Sequence, residues 1–549
     1  MLSKNKFILT IIVILLQINF STAQEKTTFR RCGNYLANPN HDPALPKIAS
    51  ALRYQNVSRT EKSNLPAIVH VIYTNPNYSI GVGNNISYEQ IASQFMASNI
   101  DLIKKNKNRS QTLEEFIWDA SSLDVEIKRA LYDPNGNVLN EEGVHRFYRD
   151  PGAKGYFSTS EVETIIANNI WDPTKYLNIW VTALPDGYLG YAFFPNILSL
   201  SGLDEVNTSE IATSEKDGVV IDYRYFGADG IDEFNGRYSM NKPYHLGRTL
   251  THELGHYLGI LHPWGVGSAS ANCSKTDYCD DTPKVSGTHQ DPENFSYCDE
   301  NSEFHTKYLC DTANYSSAQY QNFMDYTNDS CMTMFTFDQK ARVDTVLVAA
   351  VSRSTLNANA PNAEVHIDDN DVIAGSDGVN KIVWTVPSEG TQEITGYILE
   401  RSVDDQGFNY VSPILASTTR SYSDFLPSLE YLNKKVSYRV YAVNKNGFSR
   451  ESNIIVIEGG IVGIKPIKKA SFVVYPNPTK GVFTMDITDF VSASAVIEIY
   501  NTSGSLVKSI NLDKGLQSIE IHLDNMPNGT YFIRLSSDLG VFNQRIIKQ

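Results

Sequence analysis

The chain has 549 residues, a formal charge of -15 at pH 7, 41% hydrophobic residues and six cysteines. That length exceeds what one hydrophobic core organises, so several domains are expected. The acidic balance argues against a nucleic-acid partner, which needs a positive surface, and no glycine-rich phosphate loop occurs.

Residues 1–23 begin with the basic Lys4 and Lys6, continue through an apolar stretch from Phe7 to Ile18, and reach the small residues Ser21-Thr22-Ala23. This is the pattern of a signal peptide cleaved after Ala23. The apolar stretch falls short of the roughly 20 residues that span a bilayer, and no later segment is long enough, so no transmembrane segment is expected. Residues 24–60 carry a lone cysteine in Arg30-Arg31-Cys32-Gly33-Asn34 and read as a propeptide.

The stretch 61–355 has mixed character. Tyr88 to Ile103 and Glu161 to Ile170 show helical periodicity, while Leu177-Asn178-Ile179-Trp180-Val181 and Gly218-Val219-Val220-Ile221-Asp222 read as strands. The segment His252-Glu253-Leu254-Gly255-His256-Tyr257-Leu258-Gly259-Ile260-Leu261-His262 then fixes the chemistry. His252 and His256 lie four apart and share one helix face. Gly259 lets the backbone leave the helix, and His262 returns as a third nitrogen ligand. Three imidazoles suit zinc, with one tetrahedral position open to water; calcium and magnesium prefer oxygen shells. Glu253, beside the first ligand, is the expected general base for hydrolysis of a peptide bond.

Five cysteines, Cys273, Cys279, Cys298, Cys310 and Cys331, cluster after this motif. In an exported chain they imply disulfides that pin long loops, although their order does not give the pairing. Cys32 stands apart. Its thiolate could fill the open zinc position and keep an enzyme latent, or it could pair with Cys279 in a disulfide. Activation by cleavage between Asn34 and Leu65 would have Arg53, Arg59 and Lys62 as basic sites.

The three-histidine motif resembles that of metzincin metallopeptidases, which need a methionine turn under the metal. Asn322-Phe323-Met324-Asp325-Tyr326 offers one, with Met324 as the floor and Tyr326 as a hydroxyl donor to the oxyanion. Together with Cys279-Asp280-Asp281-Thr282-Pro283, Cys331-Met332, Phe335-Thr336 and the opening Leu65-Pro66-Ala67-Ile68-Val69-His70-Val71-Ile72-Tyr73, these segments resemble the pappalysin family, and in particular its small microbial members. The resemblance covers about residues 60–350. It implies a secreted endopeptidase of α+β metzincin fold: a mixed, five-stranded N-terminal subdomain, a long active-site helix and an irregular C-terminal subdomain. It also implies an edge strand that pairs with substrate backbone. Structural calcium is implied too, at Asp280, Asp281 and Thr282, with Asp277 as a further donor; a solvated acidic loop is the alternative. The disulfides it implies are Cys273–Cys310 and Cys298–Cys331. The acidic residue before Cys331, Asp329, would line the S1′ pocket and select Arg, or less often Lys, after the scissile bond. A capped Asx turn is its plainer reading.

Two all-β sandwich domains are expected beyond the polar linker Asn357-Ala358-Asn359-Ala360-Pro361-Asn362. Residues 366–458 alternate as strands, and Trp384 with Tyr438-Arg439-Val440-Tyr441 resembles a fibronectin type III module used for spacing or weak substrate contact. After Gly459-Gly460-Ile461-Val462-Gly463, residues 468–549 hold Tyr475-Pro476-Asn477-Pro478 and the basic end Arg545-Ile546-Ile547-Lys548-Gln549. They resemble the C-terminal sorting domain of Bacteroidetes cargo; a sugar-binding sandwich is the alternative. The resemblance implies the type IX secretion machinery as a partner and a secreted or cell-surface location. The whole reads as a latent zinc endopeptidase acting on proteins or peptides. An adhesion protein whose metal domain has lost activity is the competing class.

Overall fold

The computed structural model describes Cys32, Arg59 and residues 61–549, apart from 235, 268–272, 291–304, 369–372, 375–378, 387–392, 427–430, 432–433, 458–471, 488–494, 503, 513–515 and 538–539. The expected signal peptide, most of the expected propeptide, Cys298 and the second linker lie outside the described residues.

The first body is built on β1 (Ser63–Tyr73), an almost wholly buried run flanked by β3 (Val125–Arg129), β4 (Val144–Tyr148) and β5 (Leu177–Thr182). Burial on both faces explains its continuous apolar sequence. β3 pairs with residues 63–67 of β1 and β4 with residues 69–73, while β5 lies on the other edge. Six strands therefore make a sheet five strands wide, because β3 and β4 share one edge of β1 end to end. The order runs β3-β1-β5-β7-β6, with β7 (Val219–Asp222) parallel and the edge strand β6 (Gly190–Ala192) antiparallel. A small pair, β2 (Ala120–Ser121) and β8 (Phe335–Thr336), ties the two subdomains together.

Helix α1 (Tyr88–Leu102) is capped by Ser87 and packs on β3; α2 (Thr159–Asn169) begins with a capping box of Ser158 and Glu161. Helix α3 (Arg248–Tyr257) lies against β6, β7 and α1. It has ten residues, shorter than the family resemblance implies. Left-handed Gly247 (φ 82°) precedes it and Gly259 (φ 87°) ends its run. Toward the end of this body come α4 (Phe337–Ala349) and α5 (Val351–Ser354).

The second body is a two-sheet sandwich. One sheet joins β9 (His366–Ile367), β10 (Ile373–Ala374), β11 (Val379–Thr385) and β15 (Ser421–Phe425). The other joins β12 (Gly396–Val403), β13 (Phe408–Tyr410), β14 (Leu415–Ala416), β16 (Val436–Asn444), β17 (Gly447–Phe448) and β18 (Ile455–Ile457). Trp384, Tyr397 and Tyr438 fill its core. The third body is also a sandwich. β19 (Val473–Tyr475), β20 (Val482–Asp486) and β23 (Ser518–His522) face β21 (Ala495–Asn501), β22 (Leu506–Leu512), β24 (Gly529–Ser537) and β25 (Gly540–Lys548).

Candidate active site

His252 and His256 project from one face of α3, and the turn at Gly259 brings His262 back to them. Ligand atoms of these three and of Cys32 all lie within 4.8 Å of one another, and all four residues are buried. A side chain at Gly259 would meet Val346 Cγ2 at 2.7 Å, so the turn requires glycine for space as well as for φ. Arg342 of α4 fastens the same turn by donating from Nε and Nη2 to Gly259 O at 3.1 and 2.9 Å.

The imidazoles are oriented from behind. His252 Nδ1 meets Phe323 O at 2.8 Å, and His256 Nδ1 meets Ile260 O at 2.8 Å. A carbonyl only accepts, so each Nδ1 carries the proton and each Nε2 presents a lone pair to the centre. Burial lowers the His256 pKa to about 4; burial, then His256 and His252, holds His262 well below its ordinary value. Neutral rings are the ligand form. His256 Nε2 and His262 Nε2 stand 3.0 Å apart, a separation that suits two ligands converging on one cation. The donor set fits zinc.

Glu253 is buried beside this point, and the Cys32 thiol donates to its Oε2 at 3.5 Å. Cys32 and Cys279 are two thiols, so the Cys32–Cys279 disulfide alternative does not hold here. Burial pushes the Cys279 thiol well above its usual pKa. Cys273 and Cys310 are joined, with Cα atoms 5.8 Å apart. Cys331 is disulfide-bonded, and its expected partner Cys298 lies outside the described residues.

Met324 lies under α3 so closely that a Cβ at Gly255 would run into its Sδ. Gly255, an unspecified position of the motif, is thereby explained. The Tyr326 ring stands 5.1 Å from His262 and 5.7 Å from His252. Two partners of this floor escape a reading of the sequence. Trp264 stacks on His262 at 4.5 Å with an interplanar angle of 11°. His289 lies 2.6 Å from Asp325 Oδ2 through Nδ1 and 2.7 Å from Lys307 O through Nε2. Burial would lower the His289 pKa, but the Asp325 charge and hydrogen bond outweigh it and raise the value. Asp325 Oδ1 also accepts from the Tyr326 and His289 backbone N–H groups. A cationic His289 thus anchors the methionine turn; a lone histidine in a loop gives no spacing signal by which to find it.

Asp329 is fully buried. Its Oδ2 accepts from Leu246 N at 2.8 Å and Arg248 N at 3.3 Å, so it caps the start of α3, and Arg248 Nη1 donates to its carbonyl. The proposed calcium donors separate. Asp277 and Thr282 are buried and lie beside one another, Asp281 is half-buried, and Asp280 is exposed. Burial raises Asp277 to about 8 and Asp281 to about 6. Two neighbouring acids with raised pKa values suit a cation, and Asp277, buried, is better placed than the exposed Asp280. Among the described residues, only the Cys32–histidine group brings three or more Cys, His or acidic ligand atoms together this closely.

A helix bearing two of three converging imidazoles and a carboxylate, laid over a mixed sheet, is the build of a metal-dependent hydrolase. A family model described as pregnancy-associated plasma protein-A matches residues 225–348, and one described as a secretion system C-terminal sorting domain matches residues 473–549. Promirolysin of Tannerella forsythia, solved as a variant, is 30% identical over 56% of this chain and 87% of its own, with a TM-score of 0.44. Mature mirolysin of that organism, solved with a cleaved peptide, is 32% identical over 55% of this chain and 98% of its own, with a TM-score of 0.42. An extracellular metalloprotease of Verticillium alfalfae is 31% identical over 171 residues, 31% of this chain and 48% of that protein. The chain spans about half the length of the curated relatives it matches. Identity of 30% and 32% extends over 87% and 98% of the two mirolysin chains. The chain belongs to the pappalysin family of metallopeptidases and carries a secretion sorting domain.

Proposed function

We propose that the protein is a latent, exported zinc endopeptidase that cuts proteins on the N-terminal side of Arg or Lys. The observation that carries this reading is the buried convergence of His252, His256 and His262 beside Glu253. Zinc held by His252, His256 and His262 would supply Lewis-acid polarisation and lower the pKa of water enough for Glu253 to deprotonate it near neutral pH. Glu253 takes the proton of the attacking water and returns it to the leaving amine. Tyr326, packed against His252 and His262, donates its hydroxyl to the developing oxyanion. The edge strand β6 runs close beneath Glu253, since a Cβ at Gly190 would lie 3.3 Å from Glu253 Cγ. Its backbone can pair with an extended substrate.

Latency is supported by the Cys32 sulfur standing among the three imidazoles and against Glu253, where attacking water must sit. Of the basic residues between Asn34 and Leu65, Arg59 is bound to Asp344 and Ser63, and Lys62 to Glu126 and Glu451. Asp329 would meet a substrate guanidinium while still capping α3, and Asp277, Asp281 and Thr282 would hold calcium. Residues 1–23 and 473–549 would direct export, the latter through the type IX machinery. The intact Glu253 and histidines weigh against an adhesion protein that has lost activity.

The test is a casein digest with processed protein, with and without chelator, read by mass spectrometry. Cleavage should stop on removal of metal, return with zinc, and leave Arg or Lys at new N-termini. Cleavage that survives thorough metal removal would sink the mechanism.

A further inference from the structure

Strand β3 lies at the edge of the catalytic sheet opposite β6, and the middle sandwich is laid against it. Across this boundary stand Glu126 and Lys128 of β3, Glu400 of β12 and Arg439 of β16, each no more than 3% exposed. Arg439 reaches Glu126 at 2.8 Å and Glu400 at 2.6 Å; Lys128 reaches Glu126 at 2.8 Å and Glu400 at 3.1 Å. Lys62 and Glu451 extend the group at its rim. Three carboxylates face three cations, so the network is neutral only when both bodies contribute.

Buried ions by themselves add little affinity, because desolvation consumes most of the Coulombic gain. What they do is select one arrangement, since any shift strands a charge. The affinity comes from beside them, where Leu131 packs with Ile398, Tyr441, Val443 and Phe448. Gly407, at φ 99°, brings the β12–β13 turn so near α1 that a Cβ would lie 2.8 Å from Met96 O. The polar linker is itself docked: Asn357 exchanges two hydrogen bonds with Phe448, at 2.8 and 2.7 Å. The sandwich also grips the lead into β1, through Arg450 with Glu61, Glu451 with Lys62, and Ser449 O with Asn64.

We infer that the middle sandwich is a docked brace of the catalytic domain. Through the Glu126–Lys128–Glu400–Arg439 network it holds the sheet edge and residues 61–64, where the chain passes from propeptide into the central strand. This goes beyond the proposed peptidase reading and does not depend on it.

Hydrogen exchange on the full chain in graded denaturant tests this. In the parent protein, β3, β12 and β16 should lose protection together as one unit. Arg439→Met leaves three carboxylates facing two cations, and it should speed exchange at all three strands by roughly 100-fold. Adding Glu126→Gln restores neutrality and should recover a large part of the loss. If Arg439→Met does not accumulate, Lys62→Met at the partly exposed rim should give a smaller common increase of about ten-fold. Separate opening of β3 and β16 in the parent overturns the inference. So does an Arg439→Met or Lys62→Met protein whose exchange matches the parent.

Discussion

On one side of the metal position stands α3, where helical spacing alone sets His252, Glu253 and His256 on one face. On the other lies a floor from 273–335, whose described residues show little regular structure and are held by contacts between distant segments: His289 with Asp325, Phe323 O with His252, Asp329 with the start of α3. The helix side carries the chemistry in a few neighbouring residues. The floor carries orientation, spread over many. Damage to the first should be all or nothing, and damage to the second should be graded.

The largest effect is expected on the helix side. Glu253→Gln should lower kcat by about 10²–10⁴-fold while zinc content stays at one per chain, because it removes the proton carrier and no ligand. Loss of zinc along with activity, measured by elemental analysis, would show that the residue shapes the site instead.

His289→Asn comes next and tests whether the floor acts through orientation. It leaves Asp325 buried without its cation, a loss of about 3–5 kcal/mol where such pairs are broken. The folded protein should lose more in kcat than in KM, since Tyr326 is positioned through Asp325. The pKa of His289 is raised on folding. Its stabilisation is therefore full below the unfolded value of about 6.5 and is lost as pH rises through the folded value. The stability gap between parent and variant should narrow on raising the pH. A gap that widens would contradict a cationic His289.

Asp329→Asn should act on one class of substrate. A charge-assisted bond to a substrate guanidinium is worth roughly 1.5–3 kcal/mol, or about 10- to 100-fold in kcat/KM. Asparagine keeps an oxygen to cap Leu246 and Arg248, so peptides with an apolar residue after the scissile bond should be cut as before. An equal fall for both peptide classes would mark Asp329 as a capping residue only.

The smallest effect is expected at the calcium donors. Asp277→Asn removes the buried carboxylate whose pKa is pushed up to about 8. The parent should gain several degrees of thermal stability on adding calcium at neutral pH, and the variant little. Equal gains would place calcium elsewhere.

Sequence alone determined the reaction class. Histidines at intervals of four and six with glutamate and glycine between them are a local pattern, and a helix followed by a glycine turn converts such a pattern directly into geometry. It also marked strands such as Gly218–Asp222, whose burial on both faces is written as the apolar run Val219-Val220-Ile221, and the sandwich around Trp384. Only the tertiary structure decided which loop residues reach the site. Arg342 on the Gly259 carbonyl and His289 on Asp325 are meetings of segments whose separation along the chain has no period. The same holds for Glu126 and Arg439: each alternates plausibly along its own strand, and only the docking of two bodies shows that they neutralise one another. Periodic order is legible in one dimension because each residue's neighbours are set by spacing; long-range pairing is set by which surfaces close on each other.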